Sequence, residues 1–376
     1  MEHLTTGEIA EALDRARAPE IGAIHSALDD HQIVGLSGAA ESGKSKLLSL
    51  ALAPRELDDS SAVVRINLDG VYSPRHLARR WLRAVARATA GPIAFSHMVG
   101  LQREVWPGAT RQADHAVRNV LQDHYATALG ARSDRLRSKG GDEDIARALA
   151  ATDRLVEMRP TLVAVDHLES PELSGALDVR ALLWQLRATS QRTPSLRIAL
   201  VCRPGAVELA ADEDAAFYGD GTWLTIEPPT LDAWLRATPN QADIQEVYGL
   251  TRGHFWATLR MLQRLHRDPD LSAAGALADL AIENLPLADR SLQHAGALHR
   301  LGPEILRGIA NDVGPYQSIP DALSRDVAAA AQRLELGGLA HHPERGVWRV
   351  INPLVEAALR DPSAEFVKNA GSGDRP

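Results

Sequence analysis

An α/β fold organised around a parallel sheet is what this sequence predicts, and three observations predict it. Five apolar runs of strand length occur at 32–37, 62–68, 161–165, 196–202 and 223–226. Helix-period patterns separate them, the alternation that yields parallel strands with helices on both faces. Beyond residue 228 the strand signal stops until residue 339, so a helical region comes after the sheet.

Composition fits this reading. The 376 residues exceed one ordinary domain and predict two or three. Hydrophobic residues make up 45% and aromatics only 4%, so the cores are built mainly from Leu, Val, Ile and Ala. A net charge of −8 argues against a chain coated in nucleic acid while leaving room for a local basic patch. Cys202 is the sole cysteine, which excludes an intrachain disulfide and fits a reducing compartment. Met1-Glu2-His3-Leu4 does not begin a secretory signal, and no apolar stretch approaches the roughly 20 residues of a membrane span. The expectation is a soluble cytoplasmic protein without membrane contact.

Taken in order, residues 1–30 read as N-terminal helices. Thr5-Thr6-Gly7-Glu8 forms a helix start, and Ile9, Leu13, Ile21, Ile24 and Leu28 supply an apolar face. Residues 31–228 hold the sheet, interrupted by a helical insertion at 91–150 whose polar stretch 133–144, with Gly140-Gly141, reads as a mobile loop. Residues 229–287 read as a helical subdomain. In 288–362, proline opens a helix at 303–311, and Ser324 caps a second that ends at Gly337-Gly338. A hairpin comes next, 339–342 and 347–351 around a turn at 343–346. Helices leading into such a hairpin read as a winged helix. Residues 363–376 read as a disordered tail.

The first strand runs into Gly38-Ala39-Ala40-Glu41-Ser42-Gly43-Lys44-Ser45, which fits G-x-x-x-x-G-K-[ST]. Glycines let the backbone curl until successive N–H groups face one concavity. The succeeding helix adds its unpaired N-terminal N–H groups and its positive dipole end. Lys44 would reach the β and γ phosphates of a nucleotide and Ser45 would ligate Mg²⁺. Only four of the 41 Lys and Arg residues are lysines (Lys44, Lys46, Lys139 and Lys368), so a lysine that persists is informative. Arginine's planar fork is a poor substitute for a point charge inside such a loop. Lys46 completes the candidate nucleotide-binding set and also reads as a solvent-facing helix residue.

A phosphate loop calls for an acidic partner on a neighbouring strand. Thr161-Leu162-Val163-Ala164-Val165 is a buried strand, and Asp166 emerges at its carboxyl end, where open α/β sheets bind ligands. Asp166 reads as the second metal residue, or as the cap of the next helix. His167 occupies the position after it, and Glu169 is the candidate that activates water, or an exposed residue at a helix start. Arg203, at the tip of the strand 196–202, reads as a γ-phosphate contact or as the partner of a local carboxylate. Cys202 reads as a small buried residue.

These elements in this order resemble the P-loop NTPases of the STAND and AAA+ type, over roughly residues 30–360. Asp166-His167-Leu168-Glu169 is similar to the second motif of a STAND branch, in which glutamate comes three residues after aspartate. Leu250-Thr251-Arg252-Gly253-His254-Phe255 resembles the STAND lid segment, with Phe255 where proline is expected. Trp256 stands where AAA+ lids carry a sensor arginine. The resemblance implies a parallel-sheet P-loop NTPase core, an α-helical lid and a winged-helix domain. It implies ATP and Mg²⁺ as cofactors, with Lys44, Asp166, Glu169 and Arg203 as the catalytic set. No guanine-reading motif is visible, so ATP is the expected nucleotide. The resemblance also implies a separate sensor or effector protein, and a nucleotide-dependent homo-oligomer with a finger arginine from Arg180, Arg187 or Arg192.

Arg75, Arg79, Arg83 and Arg87 recur every four residues with Arg80 beside them, and no acidic residue lies between Asp69 and Glu104. This stripe reads as a solvated face in an arginine-rich protein, as a nucleic-acid surface, or as a site for an acidic partner. The second helix of the winged-helix segment is charge-neutral, Arg325 and Arg333 against Asp326 and Glu335, and alanine-rich from Ala328 to Ala331. A helix that reads the major groove brings more donors. Three functions stand open: a STAND-like ATPase switch that controls a partner protein, an AAA+-like DNA-associated ATPase, and a nucleotide-binding scaffold without turnover.

Overall fold

A computed structural model describes residues 6–360 apart from 40–41, 58–59, 91–140, 171–174, 176, 239–242, 321 and 345. Ala40 and Glu41 of the loop, most of the insertion expected at 91–150, and the tail at 363–376 therefore lie outside the described residues.

Five parallel strands form the central sheet: β1 (Ile33–Ser37), β2 (Ala62–Asn67), β3 (Thr161–Asp166), β4 (Leu196–Cys202) and β5 (Thr222–Thr225). Their order is β2-β3-β4-β1-β5. Side chains alternate between two buried faces, which is why the runs read as continuously apolar. Val34, Leu36, Leu162, Ala164, Ala199 and Val201 pack under α2 (Ala18–Asp30) and α3 (Lys44–Leu57). Val163, Val165, Ile198, Leu200 and Cys202 face the opposite layer. That layer is α4 (Pro74–Ala90), α5 (Gly141–Met158) and α6 (Val179–Arg192). Trp81 of α4 is fully buried there, and its ring N–H donates to Thr152 Oγ1 of α5 at 2.9 Å.

Two expectations change here. Gly141–Asp144 begin α5 rather than ending a loop, because Ile145, Ala148, Leu149 and Leu155 supply an apolar face to the sheet. The two N-terminal helices do not share one core. Ile9 and Leu13 of α1 (Thr6–Ala16) pack with Trp234 and Ala237, whereas Ile24 and Leu28 of α2 pack on the sheet.

The short α7 (Glu208–Ala211) lies between β4 and β5, and past β5 come α8 (Leu231–Ala237), α9 (Ile244–Thr251), α10 (Phe255–Arg267) and α11 (Ala273–Glu283), over the residues expected to form a lid. The C-terminal region holds α12 (Leu285–Leu298), α13 (Gly302–Ala310), α14 (Pro315–Ser318), α15 (Ser324–Leu336), β6 (Ala340–Glu344), β7 (Val347–Val350) and α16 (Pro353–Leu359). The boundary expected at 287 falls inside α12, whose Ala288 and Ala295 belong to the C-terminal core. Ser324 starts α15 but does not cap it; the N-cap position is Leu323, without a side-chain bond. Among the described residues, no helix is long and apolar enough to cross a membrane.

Candidate nucleotide site

The phosphate loop joins β1 to α3 at the carboxyl edge of the sheet. Its shape depends on absent side chains. A Cβ on Gly38 would overlap the Ile226 carbonyl, and Gly43 adopts φ +93, a conformation that L side chains rarely take. Ser42 is fully buried, and its Oγ has no hydrogen-bond partner among the described residues. Ser45 sits half-buried in the first turn of α3.

Lys44 is buried. Its Nζ donates to the carbonyls of Gly38 at 2.7 Å and Ala39 at 2.6 Å. Burial pulls its pKa down from 10.5 to about 8; Arg203 adds to the shift, while Glu169 and Asp166 oppose it. These electrostatic neighbours are informative in themselves. Lys44 shares one electrostatic environment with Asp166, Glu169 and Arg203.

The sheet order explains the convergence. β4 lies between β1 and β3, so Arg203 stands between the loop and Asp166. Asp166 Oδ1 accepts the backbone N–H of His167 at 2.9 Å, which fixes the carboxylate at the strand tip. His167 turns the chain with φ +62, and its ring lies 3.9 Å from carboxylate oxygens of both Asp166 and Glu169. Glu169 is 3% exposed, so it is not a solvated helix-start residue. Its Oε1 lies 3.3 Å from Arg203 Nε, and its Oε2 has no hydrogen-bond partner among the described residues. An unpartnered buried carboxylate oxygen is costly, and a water positioned for reaction is the partner such an atom would take.

Arg203 has a second partner that the sequence did not reveal. Its Nη1 donates to the carbonyl of Gly337 at the end of α15. The guanidinium fills the space where a Gly338 side chain would be, and Gly338 has φ +63. One side chain therefore ties the β4 tip both to Glu169 and to the C-terminal region.

Arg17, at the junction of α1 and α2, was also missed. It is 5% exposed, and donates to the Ser42 carbonyl at 2.6 Å and the Glu227 carbonyl at 2.9 Å, with Glu20 as its ion partner. Its only sequence signal was its place between two helices in an arginine-rich chain. Lys46 turns away from the loop to Asp14 at 2.7 Å. Arg187 is held by Asp220 and the Ala216 carbonyl, and Arg192 lies 3.7 Å from Asp153. Cys202 is buried, and desolvation pushes its thiol pKa up, which leaves it without nucleophilic character.

The residues present fit a nucleotide polyphosphate. They offer a curled loop, a helix N-terminus, a buried lysine and a carboxylate facing them from a second strand. Among the described residues, no cluster of three or more His, Cys, Asp or Glu side chains could hold a metal alone. Mg²⁺ at Ser45 and Asp166 would share its coordination with phosphate oxygens and water.

No protein-family model matches the chain, and no curated protein matches it either. Solved structures do. A Walker-type ATPase of Pyrococcus abyssi superposes with a TM-score of 0.60 at 17% identity, covering 92% of this chain and 95% of that one. The fold is that of a P-loop NTPase core. Weaker similarity extends to Cdc6p from Pyrobaculum aerophilum, with a TM-score of 0.44 at 12% identity over 94% of each chain. An Aeropyrum pernix ORC1 protein in complex with DNA gives a TM-score of 0.46 at 14% identity, again over 94% of each.

Proposed function

We propose that the chain is an ATP-dependent switch of AAA+ type, in which the nucleotide site controls the seating of the C-terminal region. The observation that carries this reading is Arg203, shared between Glu169 and the Gly337 carbonyl. Bound Mg²⁺ would neutralise phosphate charge and orient the terminal phosphate. Lys44 exchanges its two loop carbonyls for phosphate oxygens. Asp166 and Ser45 hold the metal position. Glu169 accepts the proton of the attacking water through the oxygen that is otherwise unpartnered. Anionic phosphate at the β4 tip competes for Arg203, drawing it from Gly337 and loosening the C-terminal region. With its helices, a hairpin and a closing helix, that region is read as a winged helix.

The test is phosphate release together with hydrogen exchange. Wild-type protein should hydrolyse ATP, and the α15 end and hairpin should exchange faster with nucleotide bound. Turnover equal to a Lys44→Ala control would leave only the scaffold. Between the STAND-like switch that controls a partner protein and the AAA+-like DNA-associated ATPase, the exposed arginines of α4 favour the second.

A further inference from the structure

We infer that the outer face of α4 is a binding platform for single-stranded nucleic acid, with Tyr72 as its base-stacking end. This deepens the nucleic-acid form of the proposed function and rests on it for its purpose.

The charge is presented on one side. Leu77, Ala78, Trp81 and Val85 are buried against the sheet layer, and Arg75, Arg79, Arg83 and Arg87 are exposed. At four-residue spacing the four arginines spread along about 18 Å of helix. Arg80 is turned to the Asp69 and Asn67 carbonyls and pins the start of α4 to the carboxyl end of β2. No opposing charge comes from α4 itself.

The aromatic end separates this ligand from an acidic protein. Tyr72 is 73% exposed, and its ring stacks on His76 with centroids 4.2 Å apart. His76 lies among the arginines, and desolvation with Arg80, Arg79 and Arg83 lowers its pKa, which favours the uncharged ring. The free face of Tyr72 thus opens at the head of a line of phosphate-binding charges. Bases in a duplex are already stacked, so such a ring serves unpaired bases. Position couples the platform to the ATP site. Asn67, at the end of β2, is in register with Asp166, and Ser170 Oγ lies 3.3 Å from Asp69 Oδ1.

The experiment is fluorescence anisotropy of the full chain with labelled dT20, rU20, a 20-base-pair duplex and a 20-residue polyglutamate peptide, across a salt series. Single strands should bind tightest, with a log–log salt slope near −3 for about four phosphate contacts. The dT20 and rU20 arms distinguish DNA from RNA as the source of the single strand. Tyr72→Ala should weaken binding roughly 5- to 150-fold and leave the salt slope unchanged. Arg79→Glu with Arg83→Glu should abolish binding, with an unfolding midpoint close to that of the wild type. No single-strand binding at low salt would overturn the inference. So would duplex or polyglutamate binding as tightly as single strands, or a Tyr72→Ala protein that binds unchanged. Lys44→Ala should bind oligonucleotide normally without ATP. In the wild-type protein, absence of ATP binding alongside intact oligonucleotide binding would sink the switch and not the platform.

Discussion

Lys44 and Arg203 are two cations that come after neighbouring strands, β1 and β4, at one edge of the sheet, and their partners differ in kind. Lys44 bonds to carbonyls five and six residues away. Arg203 bonds to a carbonyl 134 residues away, in another region of the molecule. Local partners let the loop form as a unit wherever its short sequence occurs. Distant partners make Arg203 report on how two regions sit together. In the proposed function the first residue serves binding and the second coupling.

The largest test of this contrast is Lys44→Ala, which should eliminate ATP binding at concentrations that saturate the wild type in calorimetry while the fold persists. Glu169→Gln should retain binding and lower the turnover number by about 10²- to 10⁴-fold in a phosphate-release assay; a turnover equal to wild type would remove Glu169 from the mechanism. The start of α10 supplies a pH test that spares both cations. His254 caps α10, accepting the Ala257 N–H at Nδ1, and burial together with Arg252 lowers its pKa from 6.5 to about 4. The unfolded chain then binds the extra proton first, so this contribution to stability is present above about pH 6.5 and fades as pH falls towards 4. The full effect is ~3 kcal/mol. Thermal unfolding at pH 7 and pH 4.5 should show it, and His254→Asn, which keeps a capping acceptor, should flatten the difference.

Arg203→Ala comes next, with a loss of ~1.5–3 kcal/mol for the charge-assisted bonds. Hydrogen exchange at the α15 end should rise without nucleotide, and addition of ATP should no longer raise it. The smallest effect belongs to Lys46→Ala. Its ion pair with Asp14 is half-exposed and worth less than about 1 kcal/mol, so ATP affinity should stay within twofold of wild type. A large loss there would erase the distinction between neighbouring lysines.

The legibility of the sequence divides along the same line. The five strands, the loop and Asp166 were readable because each rests on a short pattern: apolar alternation, glycine placement, or a charged residue at a strand end. Glu169 was named from its spacing, but its burial was not visible, since that depends on β4 and Arg203 closing over it. The Gly337 bond and the Arg17 brace were beyond reach, because a lone arginine carries no mark of a partner in a distant part of the chain. Residues 141–144 were misread for a related reason. Gly140-Gly141 is a breaker signal locally, and the sheet recruits the residues from Gly141 onward into a helix.

Arg17 has a mechanical consequence. Because α1 is built into the core of α8–α11 and α2 into the sheet core, the chain between them is a tether from one core to the other. Any displacement of one core against the other would pull on the short link at residue 17, whose guanidinium holds the Ser42 carbonyl on the phosphate loop.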